Sequence, residues 1–272
     1  MFQLTGALDL VCSRDEVGRT YLSRQSFNAP FHIGKPYWTG DTLLVQVINP
    51  TAGLFSTDRL SSRIELEPRT SAAVTTPSAT RVYPASSDRT ELRQRFVVGE
   101  GAWLDYSPAM LIPQAGSRCR QVTKIELEKG AAAFYLESLA PGRVASGESL
   151  AFDSLEWESD VIYDGRLILR ECFRLQPEDG SFLALQRPMP NAFFASGFIV
   201  SDSLDRYREI ANALGESCDD DVLVGLSPLE DYFWTVRILS SSSVKLRRCI
   251  RHLRSLLGTV CPQVSVSNRG NV

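Results

Sequence analysis

The stretch IELEPRTSAAV at 64–74 decides the fold, because related phrases return as FVVGEGAW at 96–103 and IELEKGAA at 125–132. The three phrases start at 64, 96 and 125, so they lie 32 and 29 residues apart. Each begins with a short run typical of β-strands, turns at proline or glycine, and resumes with small and apolar residues. One such unit cannot bury its own apolar face, whereas stacked units share a continuous core. The repeat therefore predicts a mainly β fold, a β-helix or solenoid-like stack of strands.

Hairpins are predicted on both sides of the repeat. Residues 7–11 alternate in the manner of a strand, and a polar turn at 14–18 leads into a second strand. Further on, Asp164-Gly165 separates the strand-like runs 157–162 and 166–173. Both residues of that pair tolerate positive φ, as a two-residue hairpin turn requires.

Helical periodicity appears only in the last third of the chain. Apolar residues recur at helical spacing over about 202–214 and about 243–257, with serines before each segment as candidate N-caps. The polar segment at about 262–272 is predicted to be a frayed tail. Because no linker rich in Pro, Gly or Ser divides the chain, residues 1–272 are predicted to form a single β-rich domain carrying two α-helices.

The composition indicates which cellular compartment and which classes of partner to expect. The chain has 272 residues, 43% of them hydrophobic, and a formal net charge of −3, so it offers no broad basic footprint for nucleic acid. Its six cysteines lie at least 12 positions apart, which favours reduced thiols in a cytoplasmic protein over metal or redox motifs. No basic segment precedes Asp9, and the longest apolar stretch is 192–200, so neither secretion nor membrane insertion is expected.

A search for catalytic motifs finds little. The two histidines, His32 and His252, have no metal-ligand spacing, and the sequence contains no P-loop, no H-E-x-x-H and no G-x-S-x-G. The acidic run at 216–221 has the carboxylates to gather a divalent cation, although a solvated loop is the simpler interpretation.

A basic row lies along the second predicted helix. It is a candidate docking face for an acidic partner, with the wet side of an amphipathic helix as the alternative. Its members are Lys245, Arg247, Arg248, Arg251 and Arg254, of which Arg247, Arg251 and Arg254 are the predicted partner-binding residues.

An ordered series of short motifs resembles the urease accessory protein D family. The motifs are KPY at 35–37, QVINPTAGLF at 46–55 with Asp58, TTPSATRVY at 75–83, LIPQAG at 111–116, and LAPGR at 139–143 with Gly147-Glu148. The resemblance covers most of residues 4–260, and its specificity lies in the order and spacing of the motifs. Two departures affect local geometry: Ser56-Thr57 precede Asp58 where the family usually has glycine, and Pro77 follows the paired threonines.

The resemblance implies a non-enzymatic factor of urease maturation with a β-helical body and two helices. Family members bind the urease accessory protein F directly and the GTPase accessory protein G through it, and the assembly engages apo-urease. Nickel then reaches the urease active site. No tightly bound cofactor is implied, only Ni²⁺ in transit, and neither nucleic acid nor membrane is an expected partner.

An ion in transit needs weak, exchangeable ligands, because a Cys/His cage would retain it. The residues predicted to line such a nickel passage are Asp58, Thr76, Ser78, Glu137 and Glu148. Turn capping or pairing with Arg59 or Arg143 is the alternative for Asp58 and Glu148.

Two other functions remain open at this point. The first is a β-helix carbohydrate-active enzyme in which two of the three carboxylates Asp58, Glu137 and Glu148 act as acid and base. The second is a passive β-solenoid interaction protein that carries no metal. Only the effect of substituting the predicted acidic lining separates this last function from the nickel conduit.

Overall fold

The computed structural model describes residues 4–86, 88–179 and 189–266. Its strands form one sheet of seven strands, the first sheet, and one of eleven, the second sheet. In chain order the strands are β1 (Thr5–Arg14), β2 (Thr20–Phe27), β3 (His32–Ile33), β4 (Tyr37–Thr39), β5 (Thr42–Ile48), β6 (Arg59–Leu66), β7 (Ser71–Thr75), β8 (Thr80–Val82), β9 (Thr90–Val98), β10 (Trp103–Tyr106), β11 (Leu111–Pro113), β12 (Arg118–Leu127), β13 (Ala132–Leu139), β14 (Ser154–Tyr163), β15 (Arg166–Leu175), β16 (Phe193–Val200), β17 (Val222–Glu230) and β18 (Phe233–Ser240).

The sequence repeat sets the register of both sheets. In the first sheet Ile64 pairs with Phe96 and Phe96 with Ile125, so the three phrases stack in parallel on β6, β9 and β12. In the second sheet Trp103 of β10 lies between Ser71 of β7 and Ala132 of β13. Each phrase thus gives one strand to each sheet, and the two sheets are the faces of a β-solenoid of about four turns. The predicted fold class is confirmed.

The turns of the repeat share a backbone conformation as well as a register. Gly101 and Gly130 have φ values of 64° and 75°, in the left-handed region that glycine tolerates. The corresponding residue of the first phrase is Arg69, whose φ is 61°. A side chain in this region is strained, so the first phrase keeps the turn at a conformational cost.

The core follows from strand alternation. Residues two apart on each strand of the first sheet point inward, and they stack on the inward residues of the second sheet. The main buried cluster includes Leu10, Ile64, Phe96, Ile125 and Val161 from the first sheet and Val45, Ala72, Leu104 and Ala133 from the second.

Antiparallel hairpins flank the parallel stack, as predicted. β1 and β2 pair around the first turn, and β14 and β15 pair around Asp164-Gly165, whose φ values are 48° and 75°. Beyond them β16, β18 and β17 extend the second sheet, in which β13 pairs with β16 and β16 with β18. No helix in the described ranges is long and apolar enough to span a membrane.

Three α-helices occur in the described residues: α1 (Tyr207–Glu216), α2 (Ser243–Leu257) and α3 (Pro262–Val266). The predicted helix at 243–257 is confirmed as α2, and the Ser242 side chain caps it by accepting the Lys245 N–H at 3.2 Å. The helix predicted at 202–214 begins later, at Tyr207, with Arg206 at the N-cap. The serines expected to cap it instead bond each other, Ser201 Oγ accepting the Ser203 N–H at 3.2 Å.

The expectation of a frayed tail at 262–272 is wrong for its first part. Residues 262–266 form α3, and Val264 is fully buried beside Leu257 of α2. Pro262 suits the first position of a helix, where a missing N–H costs nothing, and the apolar side chain of Val264 gives α3 a reason to dock. Residues 267–272 lie outside the described residues.

Candidate functional site

A cavity of about 150 Å³ lies between the two sheets. Its rim is formed by the loops after β5 and β7, in which Thr51 and Ser78 are exposed and Asn49 and Thr76 are half-buried. The rim is tied to the next solenoid turn, because the Thr76 hydroxyl accepts the Ala109 N–H at 2.8 Å. The cavity therefore has a polar entrance built by successive turns of the solenoid.

The base of the cavity is formed by one carboxylate and three neutral donors. Glu137 projects inward from β13 of the second sheet and is 5% exposed. Gln121 Nε2 donates to both of its oxygens at 2.8 Å, Gln94 Nε2 donates to Oε1 at 3.2 Å, and Trp157 Nε1 donates to Oε2 at 3.1 Å. The donors come from β9, β12 and β14, so three strands of the first sheet converge on one side chain of the second.

No Lys, Arg or His in the described part of the chain forms an ion pair with Glu137. Burial raises the pKa of Glu137, although the side chains of Tyr135, Gln121, Gln94 and Trp157, which favour the charged carboxylate, oppose that shift. Without a counter-ion the charged carboxylate is costly, and a cation that enters the cavity would favour that charged form. Within the described ranges no three His, Cys, Asp or Glu side chains are grouped closely enough to cage a metal.

The structure brings together three of the five residues predicted to line a passage. Thr76 and Ser78 lie at the rim of the cavity and Glu137 at its base. The other two, Asp58 and Glu148, lie elsewhere, so the cavity is not lined by the full predicted set. Sequence spacing could not show this, because it gives no direction for a side chain in a turn.

Asp58 is buried in the turn before β6. Its carboxylate accepts the Phe55 N–H at 2.9 Å and the Leu4 N–H at 3.3 Å, and it does not pair with Arg59, whose guanidinium contacts Asp88. Thr57, which stands where the family usually has glycine, has a φ of 75°, so the turn keeps a glycine-like shape with a β-branched residue in it. Asp58 therefore serves as the cap of this strained turn.

Glu148 pairs with Arg143, Arg143 Nε donating to it at 2.8 Å, and it also accepts the Ala115 N–H at 3.3 Å. The hydrogen bond and charge of Arg143 lower the pKa of Glu148. The alternative weighed from the sequence, pairing with Arg143, is the geometry found.

The basic row on α2 is split by the structure. Arg247 and Arg251 are exposed, but Arg254 is 3% exposed and donates from Nη1 and Nη2 to Asp105 of β10 at 2.7 and 2.8 Å. Its guanidinium also lies 4.2 Å over the Phe134 ring. The prediction that Arg254 binds a partner is therefore corrected: Arg254 anchors α2 on the solenoid, because the helical period turns this position inward.

The acidic run at 216–221 already contacts a cation of the chain itself. Lys245 Nζ donates to Asp219 at 2.9 Å and to Asp221. These contacts fasten the loop to the start of α2, and no metal is needed to explain the cluster of carboxylates.

Sequence reasoning missed Gln94, Gln121 and Trp157. A signal was present, because Gln94 and Gln121 occupy inward positions in strands whose other inward positions are mostly apolar. A polar residue on the core face of a strand must find a partner inside, and both amides meet at Glu137.

Comparison with known proteins agrees with the motifs. A family model described as UreD urease accessory protein matches residues 4–268. The chain belongs to the UreD family. The Urease accessory protein UreD of Opitutus terrae is 36% identical over 97% of this chain and 98% of its own length. Those of Acetivibrio thermocellus and Paracoccus denitrificans are 30% and 31% identical over 88% and 84% of this chain, and 92% and 82% of their own lengths.

UreD membership confirms the resemblance drawn from the motifs and gives the chain an accessory role in urease maturation. The residues of this UreD-family chain that face the cavity come from both the quoted motifs and the repeat. The motif at 75–83 supplies Thr76 and Ser78 at the rim, and the strand that follows the third repeat phrase supplies Glu137.

Proposed function

We propose that this chain is a non-catalytic scaffold of urease maturation whose interior carries Ni²⁺ on its way to apo-urease. The observation that supports this most is Glu137, a buried carboxylate at the base of a largely apolar cavity with a polar rim, where Gln94, Gln121 and Trp157 donate to it. Oxygen ligands of this kind attract a divalent cation yet exchange it readily.

In this proposal each group has a limited task. The hydroxyls of Thr76 and Ser78 replace part of the ion's water shell at the rim. Gln94 and Gln121 hold the Glu137 carboxylate toward the cavity, and its charge draws the ion inward. No bond of the ion is made or broken irreversibly, so the chain needs neither a nucleophile nor a catalytic acid.

The same proposal names the proteins with which the chain assembles. The urease accessory protein F binds directly, the GTPase accessory protein G joins through it, and the assembly meets apo-urease in the cytoplasm. The exposed guanidinium groups of Arg247 and Arg251 have no ion-pair partner in the described residues, so they are available to an acidic surface.

The carbohydrate-active alternative is less consistent with the geometry. Of the three carboxylates that it would need, only Glu137 lines the cavity, whereas Asp58 caps a turn and Glu148 pairs with Arg143. Acid and base must flank one bond. A passive interaction protein stays as the second candidate, because the cavity alone does not show traffic.

Co-expression with the F-type and G-type partners and apo-urease tests the proposal. The Glu137→Gln variant is expected to be captured in the complex like wild type, but to lower nickel-dependent urease activity by about tenfold at limiting nickel, as altered ligand shells typically do. Glu126→Gln, an outward residue of β12, is the matched control and should activate like wild type.

The outcomes separate the candidates. Normal activation with Glu137→Gln would favour a passive scaffold. Full activation of urease without this chain, together with failure to capture any of the partners, would contradict the maturation role.

A further inference from the structure

The interior does not end at Glu137. A second, smaller cavity of about 10 Å³ lies beyond it, lined among others by Ser159 and Glu171 of the first sheet and by Ser196 of the second. Glu137 and Trp157 line both cavities, so they form the wall between them. The second space is the size of about one water molecule.

The two inward carboxylates differ in what they face. Glu137 meets neutral donors, whereas Glu171 on β15 meets a cation: Arg237 Nη2 lies 2.7 Å from Glu171 Oε1. Ser196 Oγ also donates to Glu171, at 3.1 and 3.3 Å. The charge of Glu171 is therefore already matched by a group of the chain itself.

Hydrogen bonds to the backbone fix the position of the Arg237 side chain. It lies on β18 opposite Ser196 of β16, on the inward face of the second sheet, where that sheet extends beyond β15. Its Nη1 donates to the carbonyl oxygens of Val236 at 2.8 Å and Gly197 at 3.2 Å. These contacts fix the guanidinium against Glu171, with 36% of the Arg237 side chain still exposed.

We infer that Arg237 occupies the position that a divalent cation would take at Glu171, and so closes the second cavity to an ion that has reached Glu137. This rests on the proposed function in that a cation enters the interior. Two free carboxylates in succession would retain such an ion, whereas a tethered guanidinium at the second keeps the site weak and makes release depend on its displacement.

Arginine suits this task because its charge does not titrate in proteins and because it makes several hydrogen bonds from one plane. It satisfies Glu171 while the passage is empty. A structural ion pair alone would have the same contacts, so the test must read cation binding and not only stability.

The test is titration of the full-length chain with NiCl₂ by calorimetry. If the chain needs the F-type partner to stay in solution, their complex is titrated and the partner alone is the blank. Arg237→Met should tighten nickel binding by at least about tenfold, because it frees a carboxylate in a site of low dielectric. The double variant Arg237→Met/Glu171→Gln should return to wild-type affinity.

Two further variants keep the result decisive. Arg237→Gln removes the charge but keeps hydrogen-bond donors, so it serves if Arg237→Met does not fold, as judged by circular dichroism. Arg170→Met breaks the Arg170 to Asp160 pair on the outward face of β15 and should leave nickel affinity unchanged. Wild-type affinity in both folded Arg237 variants, or equal tightening by Arg170→Met, would overturn the inference.

Failure of the inference and failure of the proposed function give different results. The titration contains no urease, so it reads Glu171 and Arg237 directly. Urease activation with the same variants reads the maturation role, and a chain that is dispensable there can still show the expected change in nickel affinity.

Discussion

Two buried carboxylates on neighbouring strands of the second sheet are satisfied in opposite ways. Asp105 on β10 receives both guanidinium nitrogens of Arg254, which also stacks over Phe134. Glu137 on β13 points to the other side of the sheet and receives amides and an indole, with no guanidinium or ammonium group paired to it among the described residues. Asp105 joins α2 to the solenoid, whereas Glu137 is left with charge unmatched beside an open cavity. A matched buried charge is typical of architecture, and an unmatched one of a binding role.

The largest effect on stability is expected when the ion pair between Arg254 and Asp105 is removed. Arg254→Met leaves the Asp105 carboxylate buried without a counter-ion and should lower the free energy of unfolding by about 3–5 kcal/mol. Urea unfolding followed by circular dichroism measures it. The double variant Arg254→Met/Asp105→Leu should recover much of the loss, and a loss under about 1 kcal/mol in the single variant would contradict the anchoring role.

Asp58 offers a third arrangement, a buried carboxylate bonded to backbone N–H groups. Asp58→Ala leaves the Phe55 N–H without its acceptor, so a loss of about 1–3 kcal/mol in unfolding free energy is expected. Asp58→Asn retains an acceptor oxygen and should lose less. Reduced nickel-dependent activation by Asp58→Asn at unchanged stability would show instead that Asp58 acts on the ion.

For Glu137 the comparison predicts that the stability of the folded chain depends on pH. Burial raises the pKa of Glu137 in the folded chain above the unfolded value of 4.5, so the folded state holds this proton more tightly. The contribution of Glu137 to the free energy of unfolding of the wild type is therefore highest below pH 4.5. It falls as the pH rises toward the folded-state pKa and stays low above that pKa. Glu137→Gln removes that fall, so the stability of the variant minus that of wild type should rise with pH across this window.

For Glu126, on β12, the pKa shift and therefore the pH dependence of stability have the opposite sign. Burial raises its pKa, but the hydrogen bonds from Lys124 and Arg95 outweigh burial and lower it. The stability of Glu126→Gln minus that of wild type should therefore fall as the pH rises. Urea midpoints over the acid range measure both slopes, and equal signs would contradict the assignment of an uncompensated charge to Glu137.

The smallest effect on stability is expected in a turn of the solenoid, the scaffold that carries both carboxylates. Arg69 takes a left-handed φ of 61° where the equivalent turns have Gly101 and Gly130. Arg69→Gly should stabilise the chain by about 0.5–1 kcal/mol, because relief of strain exceeds the entropy that glycine adds to the unfolded state. Gly101→Ala is the reciprocal control and should destabilise; a thermal unfolding midpoint lowered by Arg69→Gly would refute the reasoning.

Much of the fold could be predicted from the sequence, because the repeat fixes which residues pair. Ile64, Phe96 and Ile125, the starting residues of the three phrases, are direct partners in the first sheet. Helix boundaries were less accessible. The start of α1 and the existence of α3 depend on which serines bond each other and on Val264 finding a buried position.

The candidate site could be predicted only in part. Thr76, Ser78 and Glu137, chosen because hydroxyl and carboxylate residues near turns are reasonable ligands for an ion in transit, line the cavity. Asp58 and Glu148 share that chemistry but lie elsewhere. Gln94, Gln121 and Trp157 were missed because contacts between separate strands follow from stacking, not from spacing along the chain.

The sequence by itself determined the solenoid, its register and its membership of a family, because period, turn residues and motif order are local properties of the chain. The tertiary structure alone decided the state of each charge. Whether Arg254 meets solvent or Asp105, and whether Glu137 meets a cation or three neutral donors, depends on residues up to 149 positions apart. Charges act through space at short range, so their roles are fixed only when the strands that bear them are stacked.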